Sequence, residues 1–251
     1  MTPGKGSLSV LALLTAAAWA GVGGLAGTRA WADIYSDCGS KTLERVVRGC
    51  TSVIERDNRE TVKDISRAYK LRGAAYAGAR KIDLAIADFN KAIEINPRDA
   101  YAYAGRGATY LGTAKLDLAI ADLTRAIKLN PNMAHAYSNR GIAYARKGQF
   151  DRGIADFGKA IKLAPDNADA YNKRGHAYAR KGRFDRAIAD FDKVIELNPK
   201  DAKAYYQRGG AYFENGQRDR AFSDLRKALT LQGMDSVTVE RVLKLLEAKS
   251  R

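Results

Sequence analysis

Residues 134–167 read AHAYSNRGIAYARKGQFDRGIADFGKAIKLAPDN, and residues 168–201 read ADAYNKRGHAYARKGRFDRAIADFDKVIELNPKD. Aligned, the two stretches share Tyr137 with Tyr171, Arg140-Gly141 with Arg174-Gly175, Tyr144 with Tyr178, Phe157 with Phe191 and Pro165 with Pro199. The step between them is 34 residues. The same beat runs outward through Arg72-Gly73, Arg106-Gly107 and Arg208-Gly209, through Pro97 and Pro131, and on to Gly233. A fixed period of this length means stacked copies of one supersecondary unit, not a globular core built around one pocket.

Counted from residue 66, the units are 66–99, 100–133, 134–167, 168–201 and 202–235. Place four is always Tyr (Tyr69, Tyr103, Tyr137, Tyr171, Tyr205), place eight Gly, and place eleven Tyr again (Tyr76, Tyr110, Tyr144, Tyr178, Tyr212). These places share one face of a helix. A second apolar face follows, with Ala85, Phe89 and Ala92 in the first unit and their equivalents later. Between the faces lies a turn rich in Gly and Lys/Arg, such as Lys147-Gly148-Gln149. Asp83, Asp117, Asp151, Asp185 and Asp219 stand just after that turn, where a carboxylate suits a helix start as cap or as favourable charge. Each unit therefore reads as helix–turn–helix, closed by the Pro.

This pattern resembles the tetratricopeptide repeat family, over about three quarters of the chain. The family pattern has an aromatic at place four, Gly at eight, an aromatic at eleven, Ala at twenty, an aromatic at twenty-four, Ala at twenty-seven and Pro at thirty-two. Two departures stand out. Place seven, usually Leu in the family, is Arg in all five units, and Gly153 replaces the packing Ala of the third. The expected fold is all-α: a right-handed α-solenoid of five 34-residue helix-turn-helix repeats with helical caps at both ends.

Each place-seven Arg has an Asp sixteen residues later: Arg72 and Asp88, Arg106 and Asp122, Arg140 and Asp156, Arg174 and Asp190, Arg208 and Asp224. In an antiparallel hairpin these places face each other, so the spacing predicts a ladder of interhelical ion pairs. A ladder of five identical pairs is structural; an active site needs one constellation.

The ends read differently. Lys5 precedes an uncharged run at 7–27, and Ala30-Trp31-Ala32 gives the small-x-small pattern of a cleavage site, so residues 1–32 read as a signal peptide cut before Asp33. The alternative is an uncleaved anchor at 7–27. Cys38 and Cys50, an even pair in an oxidising compartment, read as a disulfide within an N-terminal cap at 33–65. A continuous helix would hold them roughly 18 Å apart, so Cys38 must lie on a leg that folds back. Residues 41–56 resemble the second helix of a unit lacking its first, and 236–251 read as a C-terminal capping helix.

The formal charge is +15; without residues 1–32, which hold Lys5, Arg29 and no acid, it is +13. Such a surface favours acidic partners. By resemblance, the first helices of the array line a concave groove, pointing places two, five, nine, twelve and thirteen into it. The expected groove is Arg67, Lys70, Tyr101, His135, Ile142, Arg146, Asn172, His176, Arg180, Lys203, Tyr206 and Phe213, with Leu111 and Ser138 beside them and Asp169 and Glu214 the acids. The carboxylate clamp of cochaperone relatives is not matched: Lys70 is present, but Ala74, Gly105, His135 and Asn139 stand at its other places.

Neither His135 nor His176 has the i, i+4 partner of a metal motif, and no phosphate loop follows a strand. No catalytic residue, metal or cofactor is expected, and no nucleic-acid module is recognisable. The expected function is an exported, periplasmic, non-catalytic interaction scaffold of a bacterial type, its basic groove binding an acidic or extended segment of a partner protein. The competing reading is a membrane-anchored periplasmic assembly factor whose basic surface associates weakly with the membrane; an accessory subunit of an enzyme encoded elsewhere is a third.

Overall fold

Helical periodicity becomes helix pairs. The computed structural model describes residues 42–55 and 61–231, with Asp37 and Lys244 besides. Cys38, the segment 1–32 and all but Lys244 of the expected C-terminal cap lie outside the described residues; Lys244 is helical and exposed. Among the described residues the elements are α1 (Leu43–Glu55), α2 (Val62–Gly78), α3 (Ile82–Ile95), α4 (Ala100–Gly112), α5 (Leu116–Leu129), α6 (Ala134–Arg146), α7 (Phe150–Leu163), α8 (Ala168–Arg180), α9 (Phe184–Leu197), α10 (Ala202–Glu214) and α11 (Arg218–Thr230). From α2 onward they pair in sequence, giving the all-α solenoid class with a terminal helix. The chain divides into two compact units, one ending at Pro131 and one beginning at Asn132. Within each, first helices pack on their own second helices and on the next pair.

Glycine at place eight sets how closely a pair can approach. A Cβ on Gly141 would lie 2.8 Å from the Phe157 ring, and one on Gly175 the same distance from Phe191. In the third repeat the backbones come closer still: a Cβ on Gly153 would meet the carbonyl oxygen of Gly141 at 2.9 Å. That contact explains why Gly153 stands where the other repeats carry Ala.

The close approach also brings Arg and Asp together. Arg72 Nε donates to Asp88 Oδ2 at 2.8 Å and Nη2 to Oδ1 at 2.9 Å. The same two-pronged bond joins Arg106 to Asp122, Arg140 to Asp156, Arg174 to Asp190 and Arg208 to Asp224. All five aspartates are buried. The repeated tyrosines flank four of the guanidiniums, and Tyr103 lies against Arg106. Arg208 lies over Tyr205 at 5.5 Å and Tyr212 at 5.6 Å. The remaining nitrogen reaches the preceding helix. Nη1 of Arg72, Arg106 and Arg208 donates to Thr51, Asn90 and Asp192 respectively. One residue thus ties its own pair and its neighbour.

The terminal helix obeys the same register. Thr51 takes the role of Asn90, although it lies 21 residues before its Arg and not 16. Counting back from it, Val46, Cys50 and Val53 occupy the inward places of a second helix, and all three are buried against Ala68 and Ala75. Asp37 lies near Arg45 and Arg48 on its outer side.

The aspartates after each turn are not caps. The N-caps there are Lys81, Lys115, Gln149, Arg183 and Gln217, none with a side-chain cap bond, and the Asp falls inside the first turn as favourable charge. Side-chain caps occur instead on first helices, from Thr61, Asp99, Asn167 and Asp201.

At the turn itself, place fifteen is left-handed in every repeat. Gly148, Gly182 and Gly216 have φ of 74, 67 and 79°, while Arg80 and Ala114 adopt 59 and 58° with a Cβ to strain. Gly182→Ala is expected to cost about 1 kcal/mol. Ala114→Gly should gain somewhat less, since the added freedom of the unfolded chain offsets part of the relief. Urea midpoints moving in the same direction for both would contradict this account.

Arg174 differs from Arg72, Arg106 and Arg208, because the place its Nη1 points to is Gly158; a Cβ there would lie 3.6 Å away. Arg174→Ala strands the buried Asp190 and should cost roughly 3 kcal/mol. Gly158→Asn supplies the missing acceptor and a better helix former, and should gain about 1 kcal/mol. Thermal unfolding of both variants beside wild type measures these values.

Candidate functional site

The exposed faces of the first helices hold the expected groove residues, and the two units must be read separately. In the first unit Lys70 of α2 pairs with Asp99 Oδ2 at 2.5 Å, and its ammonium lies 5.8 Å from the ring of Tyr101 on α4. Asp99 is also the N-cap of α4, so it fixes the start of one helix while anchoring a cation of the previous one. Lys70 and Tyr101 are therefore brought together, but the lysine is already neutralised. Arg67 lies half-buried one turn earlier on α2. Leu111 is buried and does not line the face.

In the second unit α6, α8 and α10 supply the face. Asn172 Nδ2 donates to Gln207 Oε1 at 2.6 Å, and Gln207 Nε2 stands 2.7 Å from His176 Nε2. An amide nitrogen only donates, so His176 accepts at Nε2 and is the neutral tautomer carrying its proton on Nδ1. The ring packs edge-on against Phe191, centroids 5.4 Å apart. Shielding from water holds its pKa below the ordinary histidine value, and Lys203 and Lys173 push it in the same direction. Burial lowers His135 similarly. The field at this point of α8 and α10 is positive.

Lys203 is exposed in the first turn of α10, and Tyr206 and Phe213 lie half-buried along the same helix. Ile142 is half-buried on α6, and Ser138 is buried. Arg146 and Arg180 occupy the last turns of α6 and α8, and the Arg180 guanidinium stacks over Phe150 at 5.4 Å. First and last turns of such helices are about 16 Å apart. Arg146, Arg180 and Lys203 are consequently not one cluster: Lys203 gathers with His176, Asn172 and Gln207, and the arginines mark the far end. Gln207 and Asp99 were missing from the sequence-based face: Gln207 acts across a repeat boundary, and Asp99 folds back from the last place of its repeat onto Lys70, neither of which periodicity describes.

Nothing in the face assembles a reacting centre. Among the described residues no group of three or more His, Cys, Asp or Glu is placed to hold a metal ion. No described helix is long and apolar enough to cross a membrane.

Comparison with known proteins follows from this geometry. Family patterns described as Tetratricopeptide repeat match residues 66–99, 139–202 and 172–233, and one described as TPR repeat matches 115–148. No curated protein matches the chain. A crystal structure of MamA protein is similar at 29% identity and a TM-score of 0.62, over 67% of this chain and 92% of that one. A second crystal structure of MamA is 30% identical, with a TM-score of 0.60 over 63% of this chain and 92% of that one. YrrB, a TPR protein with an unusual peptide-binding site, shares the fold at 22% identity and a TM-score of 0.66, over 79% of this chain and 99% of that one.

These relatives correct the expected location. The MamA proteins are cytoplasmic and magnetosome-associated, which overturns export to a periplasm and an exported family type. An uncharged run with a small-x-small end is a pattern of composition, and composition alone carries no destination. The oxidising compartment falls with it as the ground for a Cys38–Cys50 bridge, yet Cys50 itself is disulfide-bonded and no described cysteine is free. Cys38 lies outside the described residues, and Cys50 is fully buried on the inner side of α1.

The histidine geometry sets a pH dependence. Because the folded pKa of His176 and His135 is depressed, the unfolded chain binds protons more readily, and stability rises with pH. The contribution is complete above the unfolded value of about 6.5 and is lost as pH falls below it. His176→Gln should therefore narrow the gap in melting temperature between pH 7.5 and pH 5.5. An unchanged gap in His176→Gln/His135→Gln would show that neither ring carries the effect.

Proposed function

The chain belongs to the tetratricopeptide repeat family, and from that premise we propose that the α8–α10 face of its second unit docks an acidic, extended segment of a partner protein. At the coarser level it is a non-catalytic scaffold for protein–protein contact. The observation that carries the finer reading is the positive field at His176, produced chiefly by exposed Lys203, since Lys173 also pairs with Asp169 at 3.0 Å, beside half-buried Tyr206. Cations next to partly covered aromatic surface suit a chain that alternates carboxylates with apolar side chains.

The amide pair deepens the fit. Asn172 and Gln207 are held in position by each other and by His176, so their free valences are oriented before a ligand arrives. An extended backbone laid across α8 and α10 presents N–H and C=O groups to such amides. Lys203, exposed at the start of α10, makes no ion pair among the described residues and can meet a ligand carboxylate.

Fluorescence anisotropy with a labelled peptide alternating Glu and Leu tests this. Lys203→Glu should weaken binding about tenfold or more, through loss of one attraction and gain of one repulsion. Binding should also weaken with added salt. Equal affinity of wild type and Lys203→Glu would remove the α8–α10 face as the docking site.

A further inference from the structure

The outer faces of the second helices carry a pattern that peptide docking on the first helices does not use. In the second unit each shows an arginine, a small residue, a lysine and a leucine at i, i+3, i+7 and i+11. These are Arg152, Ala155, Lys159 and Leu163 on α7, and Arg186, Ala189, Lys193 and Leu197 on α9. On α11, Arg220, Ser223 and Lys227 continue the pattern. At 100° per residue the four places fall within about 80° of the circumference, so each helix presents them as one stripe.

The stripe is cationic because the acids of these helices are occupied elsewhere. Asp156, Asp190 and Asp224 turn inward to Arg140, Arg174 and Arg208. Asp192 bonds Arg208 at 2.6 Å, Asp151 bonds Lys181, and Asp185 accepts from Asn215 at 2.7 Å. On the stripe Lys193 pairs with Glu196. Arg152 and Arg220 hydrogen-bond their neighbours Gln149 and Gln217 and lie over Tyr144 and Tyr212, with no carboxylate partner among the described residues. Arg186, Lys159 and Lys227 make no ion pair among the described residues. The cations that remain without a carboxylate partner therefore outnumber the exposed acids left unpaired on this face.

The apolar member of the stripe decides the partner. Six large apolar side chains stand exposed among the described residues, and four of them occupy this stripe. Leu163 is 39% and Leu197 36% exposed in the second unit; in the first unit Leu84 at 49% and Leu118 at 50% take the place that arginine takes later, with Lys91 and Arg125 two turns on. Lys91 and Lys193 pair with Glu94 and Glu196, but exposed leucines mixed with the remaining cations match a surface that is anionic outside and apolar just beneath. A single acidic chain or a nucleic acid would use the cations and leave the leucines in water. We propose that the outer second-helix face of this protein docks onto an anionic lipid bilayer, cations at the headgroups and leucines at the acyl boundary.

The test is sedimentation of the full chain with vesicles of phosphatidylcholine alone and of phosphatidylcholine mixed with phosphatidylglycerol. The expected result is stronger binding to the mixed vesicles, falling with salt. R152Q/R186Q/R220Q should lose about fivefold per side chain, or about a hundredfold in all. L163S/L197S, which leaves every charge in place, should also reduce binding. K203E, on the first-helix face, should leave vesicle binding unchanged, which separates this proposal from the peptide site. Circular dichroism and melting temperature confirm that the variants, all changed at exposed positions, remain folded. The proposal is overturned if R152Q/R186Q/R220Q binds mixed vesicles like wild type, or if L163S/L197S has no effect. It is equally overturned if a duplex oligonucleotide binds in an arginine-dependent way while mixed vesicles are bound no better than neutral ones.

Discussion

A guanidinium held between two tyrosines and clamped by a buried carboxylate is the unit on which this structure depends. Arg140 and Asp156 meet because Gly141 lets α6 approach α7, and the same approach would be blocked by a single added carbon against Phe157. Packing and charge are therefore not separate contributions here. The glycine permits the distance, the distance buries the aspartate, and the buried aspartate then requires its arginine. Where the third nitrogen reaches the preceding helix, as from Arg208 to Asp192, the same side chain converts a helix pair into a stack. A leucine at this place would fill space without reaching across two boundaries, so arginine adds directionality to a packing position.

That ladder also sorts charge. Each inward aspartate is removed from the outer surface of its second helix, and the turn-facing acids Asp151 and Asp185 are taken by Lys181 and Asn215 of the next repeat. Arg152, Arg186, Lys159, Arg220 and Lys227 keep no carboxylate partner among the described residues as a result, while Lys193 keeps Glu196. Net charge alone would spread +15 evenly; the bonding pattern concentrates it. A surface property thus follows from an interior one.

The period made much of the fold legible. Thirty-four residues with Tyr, Gly, Tyr and Pro in register demand helix pairs, and the sixteen-residue Arg–Asp offset points across a pair. What the period could not convey is which atoms finish each helix. Asp83 and its equivalents satisfy the composition of a cap, yet lie two residues past the cap place; Asp99 and Asp201, beside the Pro-containing loops, do the capping. The strained φ of Arg80 and Ala114 was likewise hidden, since a turn position is visible in sequence only when Gly occupies it.

The site was less legible than the fold, for a reason the residues make plain. Counting places identifies which side chains leave the helix on the exposed side, and it found Asn172, His176 and Lys203. Counting cannot say what those side chains do on arrival. Lys70 is cancelled by Asp99, the last residue of its own repeat and the cap of the next, and Ser138 is covered by packing. Gln207, at a place not expected to face the groove, turns out to orient both Asn172 and His176. The Gln207 contacts join neighbouring repeats, where sequence differences matter most because identical units meet through non-identical places. Function in such an array is therefore read from the few positions where the repeat departs from itself: Gln207 among the place-six residues, and Leu84 and Leu118 where later repeats carry Arg152, Arg186 and Arg220.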